Sequence, residues 1–317
     1  MEPLLNITGL HKEFRGAAGR TLRAVCGVDL EVRAGETLGL VGESGCGKST
    51  LARCALRLLE PTSGSVFFDG TDLAALRPAE LRSRRRQFQI IFQDPLATLD
   101  PRMTVGQIIA EPFEVHGMGS RSERESRVRE LMAAVALDPG MADRRPSSLS
   151  GGQQQRVGIA RALALKPRLV VADEPVSALD ASVQAQVLNL LIALQRRFDL
   201  TLVLISHSLA VVHYLCTRVA VMYLGRIVEE ARAEEFFRQP LHPYSRLLLR
   251  SMPAPDLSSK ISPGVFLGDV PSPLDPPSGC PFHPRCSEAL PKCREQTPGL
   301  DLRMPGRKAA CFLYTSG

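Results

Sequence analysis

The chain has 317 residues, enough for one large domain with an appendage or for two domains, and its 44% hydrophobic content is ordinary for a folded core. No uninterrupted apolar run approaches the ~18 residues of a membrane span, and Met1-Glu2-Pro3-Leu4 shows no basic segment followed by an apolar one, so the expectation is a cytoplasmic chain without a span or signal peptide. The net charge of +6, from 39 basic against 33 acidic side chains, is a modest excess that suits nucleotide, an anionic membrane surface or nucleic acid alike.

Residues 4–41 read as β-rich. Leu4-Leu5-Asn6-Ile7 opens, Val28 to Val32 alternates apolar and polar, and Arg15 to Arg20 is a loop between them. Phe14 stands just before that loop, where an aromatic ring can stack on a flat base or simply pack in the core. Leu38 to Val41 is a short buried strand. It runs into Gly42-Glu43-Ser44-Gly45-Cys46-Gly47-Lys48-Ser49-Thr50, which fits the phosphate-binding pattern G-x-x-x-x-G-K-[ST]. Leu51, Cys54, Ala55, Leu58 and Leu59 then recur at helical spacing. Strand, glycine loop and helix together aim backbone N–H groups and a positive helix end at an anion. In this pattern Lys48 reaches the β- and γ-phosphates and the Ser49 hydroxyl binds Mg²⁺. A glycine-rich structural turn is the weaker reading, because the Lys-Ser pair and both flanks are in register.

Pro61 to Gly64 is a turn, and Ser65 to Gly70 is a strand ending in an Asp-Gly turn. Pro78 to Arg86 is a short helix whose Arg82, Arg84, Arg85 and Arg86 read as a solvated face before a phosphate contact. Gln89 to Phe92 has strand character and stops at Gln93-Asp94-Pro95. Val105 to Leu137 is helical, with breaks expected at Pro112 and at His116 to Gly119. Leu149-Ser150-Gly151-Gly152-Gln153 opens another helix. It is either an ordinary N-cap or a second anion-binding helix start, and the second glycine, which a cap does not need, favours the latter.

Leu169 to Ala172 is a continuous apolar run, as in a parallel strand buried on both faces, and it ends in Asp173-Glu174-Pro175. Carboxylates at that end of a strand lie where open α/β sheets bind ligands. Ser177-Ala178-Leu179-Asp180 follows, then a long amphipathic helix through Val183, Val187, Leu190, Leu191 and Leu194. Leu202 to Ile205 is another buried strand, ending at Ser206-His207, and Val219 to Met222 with Arg226 to Val228 reads as a last strand pair turning at Gly225. From about Pro240 the texture becomes rich in Pro, Ser and Cys, so 240–317 reads as an irregular appendage of short turns. Cys280, Cys286, Cys293 and Cys311 crowd it at spacing C-x5-C-x6-C-x17-C. In a cytosolic chain such a cluster suggests metal before disulfides, and four thiolates can hold Zn²⁺ or an iron–sulfur cluster. Four free thiols are the plainer alternative.

In this order the motifs resemble those of the ATP-binding subunit of an ABC transporter. The phosphate loop is Gly42 to Thr50, the Q-loop glutamine Gln93, and the signature Leu149 to Gln153. The acidic strand end is Asp173-Glu174, the D-loop Ser177 to Asp180, and the switch histidine His207. Phe92 to Arg102, His242-Pro243-Tyr244-Ser245, and Gly268 to Pro273 with Gly279 to Cys286 further resemble the oligopeptide/dipeptide importers. Ser208 follows the histidine where that family usually has an acid or amide, and Asp100 stands where it often has Asn.

The resemblance implies an α/β P-loop NTPase fold with an antiparallel β subdomain, a helical subdomain at about 94–160 within a domain of 1–239, and a small Cys-rich extension at 240–317. It implies ATP hydrolysis with Glu174 as general base, His207 at the γ-phosphate, and Mg²⁺ held by Ser49, Gln93 and Asp173. Phe14 would face the base, while Ser150, Gly151, Gly152, Gln153 and Asp180 would complete the site of a head-to-tail partner. It favours a [4Fe-4S] cluster over zinc on the four cysteines. The implied partners are two integral membrane permeases, a second and paralogous ATP-binding subunit, and a periplasmic peptide-binding protein. The implied place is the cytoplasmic side of the inner membrane, peripherally bound, with di- or oligopeptides as cargo and nickel or glutathione as alternatives. A soluble ABC-type ATPase working on nucleic acid is the competing class, disfavoured because the chain has one nucleotide domain and no aromatic-basic platform.

Overall fold

The computed structural model describes residues 2–16, 20–251 and 270–314. Ala17 to Gly19 of the expected first loop, and Gly268 and Asp269 of the tail motif, lie outside the described residues.

The chain opens with an antiparallel hairpin, β1 (Leu5–Arg15) and β2 (Thr21–Val32), followed by β3 (Thr37–Val41), the phosphate loop and α1 (Lys48–Ala55). Next come β4 (Ser63–Phe68) and β5 (Thr71–Asp72), joined by the expected Asp69-Gly70 turn, both residues at positive φ as a two-residue hairpin loop demands. Then follow α2 (Pro78–Arg84), β6 (Phe88–Ile91), α3 (Pro95–Thr98), α4 (Val105–Val115), α5 (Arg121–Ala134), α6 (Gly151–Leu163), β7 (Leu169–Asp173) and α7 (Ala181–Phe198). The last part holds β8 (Thr201–Ser206), α8 (Leu209–Leu215), β9 (Arg218–Tyr223), β10 (Arg226–Arg232), α9 (Ala233–Arg238), α10 (Pro243–Arg250), β11 (Asp301–Met304) and β12 (Arg307–Ala309). Among the described residues no helix is long and apolar enough to cross a membrane.

These elements fall into two units, one of residues 1–32, 37–74 and 205–317, the other of 33–36 and 75–204. The first carries the antiparallel sheet β2-β1-β4-β5 and the strands β11-β12-β10-β9-β3, with β3 and β9 parallel. All five side chains of β3 are buried, as a strand covered on both faces requires. Its β9–β10 turn is stitched to both neighbours. Cys26 N–H donates to the Gly225 carbonyl (2.8 Å), and Gly225 N–H donates to the Cys46 carbonyl (2.9 Å).

The tail is more regular than an appendage of short turns. β11 and β12 form an antiparallel hairpin, and β12 extends the sheet through Glu229↔Ala309 and Glu230↔Lys308. The signal was present in Pro305-Gly306, a turn-forming dipeptide between short alternating segments. Glu229 anchors this region from inside. It is fully buried, accepts N–H bonds from Leu241 and His242 (both 2.8 Å), and faces Arg307 at 3.9 Å.

His242 caps α10, its Nδ1 accepting the Tyr244 N–H at 3.0 Å. Burial, and then the nearby Arg246 charge, push its imidazole down to about 3. The folded protein therefore keeps it neutral while the unfolded chain protonates it below about pH 6.5. The unfolded state then binds the extra proton, so stability falls as pH drops from about 6.5 toward 3. At pH 5.5 this amounts to roughly 1 kcal/mol. His242→Asn keeps a cap acceptor and removes the titration. Melting curves from pH 7 to 5 should show a shallower loss for the variant than for the wild type; equal slopes would remove His242 as the cause.

The second unit holds the parallel pair β6 and β7, β8 as far as Leu204, and the helices α2 to α7. All five residues of β7 are buried. α6 is its central helix, burying Val157, Ile159, Ala160 and Leu163. α4 and α5 each start on a complete capping box, Thr104 with Gln107 and Ser120 with Glu123. The break expected at Pro112 does not occur, for α4 runs through it to Val115. An interior proline costs about 3 kcal/mol, whereas burying each of Ile108, Ile109 and Phe113 contributes about 1.5–3 kcal/mol, so packing wins. The interruption at His116 to Gly119 does occur. Asp100 has its own use: both of its carboxylate oxygens accept from Arg102, at 3.0 and 2.8 Å.

Candidate nucleotide site

In the first unit the buried β3 delivers the phosphate loop and α1 receives it. Gly47 is the N-cap of α1, at φ +106, and offers no side chain to cap the helix. A Cβ there would drive into the Ala24 carbonyl oxygen, so only glycine fits. The first turn of α1 holds no acidic residue that would oppose an anion. Lys48 is 5% exposed, and its ammonium donates to the carbonyls of Gly42 (2.8 Å) and Glu43 (2.9 Å). The lysine is thereby tethered to the loop that it serves. Cys46, inside the loop, has its thiol pushed up by burial although Lys48 opposes this. Ser44, Gly45 and Thr50 complete the loop and the α1 entry.

His207 stands exposed at the end of β8. After it, Ser208 N–H donates to the Ser206 hydroxyl at 3.0 Å, and the Ser208 side chain makes no cap bond to α8. Phe14 is 36% exposed with the Lys12 ammonium over its ring at 5.0 Å.

The second unit carries the acids and the signature. Asp173 closes the buried β7 and is 3% exposed. Glu174 follows at φ +48, a left-handed conformation rare for glutamate. Gln93 Nε2 donates to Glu174 Oε2 at 3.1 Å, which joins the Q-loop to the carboxylate across 81 positions. The Ser177 hydroxyl donates to the Glu174 carbonyl at 3.1 Å, and Asp180 caps α7 by accepting the Val183 N–H at 3.0 Å. Backbone strain at a residue bonded from two loops, at its carboxylate by Gln93 and at its main-chain carbonyl by Ser177, is typical of a functional position.

At the signature, Ser150 and Gln153 form a complete capping box on α6. Its second glycine has a packing reason that spacing could not reveal. A Cβ on Gly152 would collide with Cγ1 of Val183, so the starts of α6 and α7 can meet only over glycine. Gly151 lies beside Leu179, and Ser150 and Gly151 remain exposed.

Cys280, Cys286, Cys293 and Cys311 line one cavity, together with His242, His283 and Glu288. Burial pushes the Cys280 thiol up to about 11 and raises Cys286 and Cys311 as well. Among the described residues no three His, Cys, Asp or Glu side chains stand at ligating spacing. Four thiols around one cavity are donors of the kind a metal centre uses, but the preformed ligand set expected for [4Fe-4S] is not found among the described residues.

Sequence reasoning gave Glu43, Tyr244 and Arg285 no structural task. Glu43 N–H donates to the Tyr244 hydroxyl at 2.9 Å, and both Glu43 carboxylate oxygens accept from Arg285, each at 2.9 Å. The Arg285 side chain is 4% exposed. Both partners had been visible only as members of short motifs.

Comparison with known proteins gives the family. Residues 25–177 match the family described as ABC transporter, and residues 228–293 match the oligopeptide/dipeptide transporter C-terminal region. The oligopeptide transport ATP-binding protein AppF of Bacillus subtilis is 49% identical over 93% of this chain and 90% of its own. A Sinorhizobium fredii protein named "Probable peptide ABC transporter ATP-binding protein y4tS" is 52% identical over 98% of this chain and 90% of its own. Among solved structures, the dimeric post-hydrolysis state of the ATP-binding cassette MJ0796 bound to ADP and Pi superposes with a TM-score of 0.66 at 31% identity, over 72% of this chain and 98% of that one. With a cassette loop, an acidic strand end and near full-length relatives in agreement, the chain belongs to the ABC transporter family, as an ATP-hydrolysing, ATP-binding subunit of its oligopeptide/dipeptide branch.

Proposed function

We propose that this chain energises uptake of di- or oligopeptides from the cytoplasmic face of a bacterial inner membrane, bound peripherally to two integral membrane permeases. The observation that carries the chemistry is Glu174 at the end of a buried strand, bonded by Gln93 at 3.1 Å. The cargo reading is supported by the names of the relatives and by the C-terminal region. Nickel complexes and glutathione remain the alternative cargoes.

In this reading the phosphate loop and Lys48 bind the triphosphate, His207 contacts the γ-phosphate and Phe14 stacks on the base. Glu174 takes a proton from water as the water oxygen bonds to the γ-phosphorus in line, while the bond to the β–γ bridging oxygen breaks and ADP leaves. Ser49, Gln93 and Asp173 would hold Mg²⁺, which neutralises phosphate charge. Ser150 to Gln153 and Asp180 complete the site of a second ATP-binding subunit, a paralogue paired head to tail, and a periplasmic peptide-binding protein supplies the cargo. Purification from membranes should bring integral membrane proteins with the chain. Salt-sensitive binding of DNA or RNA in their place would favour the nucleic-acid class instead.

The four tail cysteines are assigned a metal centre, [4Fe-4S] with Zn²⁺ as the alternative. It would staple a segment too small to be held by its own core. Anaerobically purified protein should be brown, absorb near ~400 nm and contain iron. A colourless preparation containing zinc would give the site to zinc, and one with neither metal would leave four thiols.

A further inference from the structure

We propose that Arg285 is a positioning residue for ATP binding, and that through it the thiol-lined extension holds the phosphate loop in shape. The path is continuous. Cys280 and Cys286 line the thiol cavity, and the turn between them is closed by His283 N–H to the Cys280 carbonyl, Arg285 N–H to the Phe282 carbonyl, and Cys286 N–H to the His283 carbonyl, at 3.0, 3.0 and 3.3 Å. That turn presents Arg285, whose two terminal nitrogens clamp the Glu43 carboxylate at 2.9 Å each. The Glu43 carbonyl in turn accepts the Lys48 ammonium, also at 2.9 Å. Two bonded steps thus connect a cysteine-bearing turn to the lysine of the phosphate loop.

The pair is built rather than incidental. Arg285 is 4% exposed, and its Nε has no partner among the described residues, so Glu43 is what answers its charge. A fork-to-fork pair fixes direction as well as charge. The surroundings reinforce it. Phe282 packs against Tyr223 and Tyr244, with ring centroids at 5.3 and 5.4 Å, and Tyr244 also takes the Glu43 N–H. Glu43 is therefore held at both its backbone and its side chain by residues from positions 244 and 285. The loop geometry that the nucleotide needs is specified partly from the far end of the chain.

This inference rests on the phosphate loop being a nucleotide site, and its test separates the two. Equilibrium binding of a fluorescent ATP analogue, mant-ATP, is measured with Mg²⁺ on the full chain and on Arg285→Gln, Arg285→Lys, Glu43→Gln and the Arg285→Gln/Glu43→Gln double variant. Arg285→Gln should weaken binding about 5- to 10-fold, equivalent to about 1.4 kcal/mol at the upper end, and raise KM for ATP more than it lowers kcat. Lysine should restore part of the affinity. The double variant should bind no worse than the weaker single one, because both remove one interaction. Hydrogen exchange supplies a readout that needs no variant: saturating mant-ATP should slow the amides of His283, Arg285 and Cys286 in the wild type, since coupling between two sites is reciprocal. Wild-type affinity in Arg285→Gln, fully multiplicative losses in the double variant, or unchanged exchange at His283, Arg285 and Cys286 would overturn the proposal. Failure of the wild-type chain to bind mant-ATP would instead sink the nucleotide reading.

Discussion

Glu174→Gln should bind ATP within about 2-fold of the wild type and hydrolyse it at least ~100-fold more slowly, since a positioned general base contributes roughly 10²–10⁴ in rate. The structure gives the reason for both halves. The amide is nearly isosteric with the carboxylate, so the strained turn at φ +48 and the Ser177 bond to the Glu174 carbonyl should survive. The bond from Gln93 can also persist, because the amide of residue 174 still offers an oxygen to Gln93 Nε2. What disappears is an oxygen able to accept a proton from water. Steady-state phosphate release together with mant-ATP titration on the same preparation checks both. Turnover within a few-fold of the wild type would remove Glu174 from the role of base.

Lys48→Ala should act one step earlier. Its ammonium donates to two loop carbonyls and is buried, so the substitution removes the charge offered to phosphate and loosens the loop. A hydrogen bond to a charged group contributes about 1.5–3 kcal/mol, which converts to a nucleotide Kd about 10- to 150-fold weaker. The two variants should therefore be distinguishable: one binds without turning over, the other fails to bind at working ATP concentrations. A Lys48→Ala chain with near wild-type affinity would show that backbone groups at the start of α1 hold the phosphates unaided.

Much of this site could be read from local sequence because its parts are short and chemically constrained. A glycine loop between a buried strand and a helix, or two acids after an apolar run, announces itself within ten residues. Family likeness gave Gln93 and Glu174 separate roles, and the 3.1 Å bond between them is visible only in the structure. What local sequence could not carry were relations between distant segments. Arg285 and Glu43 stand 242 positions apart, and neither residue type is unusual where it occurs. The reason for Gly152 lies on another helix, at Val183. Pro112 looked like a stop because its local penalty is visible in sequence, whereas the burial of Ile108, Ile109 and Phe113 that outweighs it is not. The β11–β12 hairpin was hidden by a proline-rich neighbourhood that reads as irregular on composition alone.

Energised peptide uptake is the claim on which the account depends, and it can be measured in one experiment. Cells lacking this chain are supplied with the wild type or with Glu174→Gln, and accumulation of a radiolabelled tripeptide is followed alongside the amount of each chain recovered with the membrane. The account predicts that the wild type restores accumulation, and that Glu174→Gln reaches the membrane equally but restores none. Equal tripeptide accumulation with either chain, or none with the wild type, would contradict it.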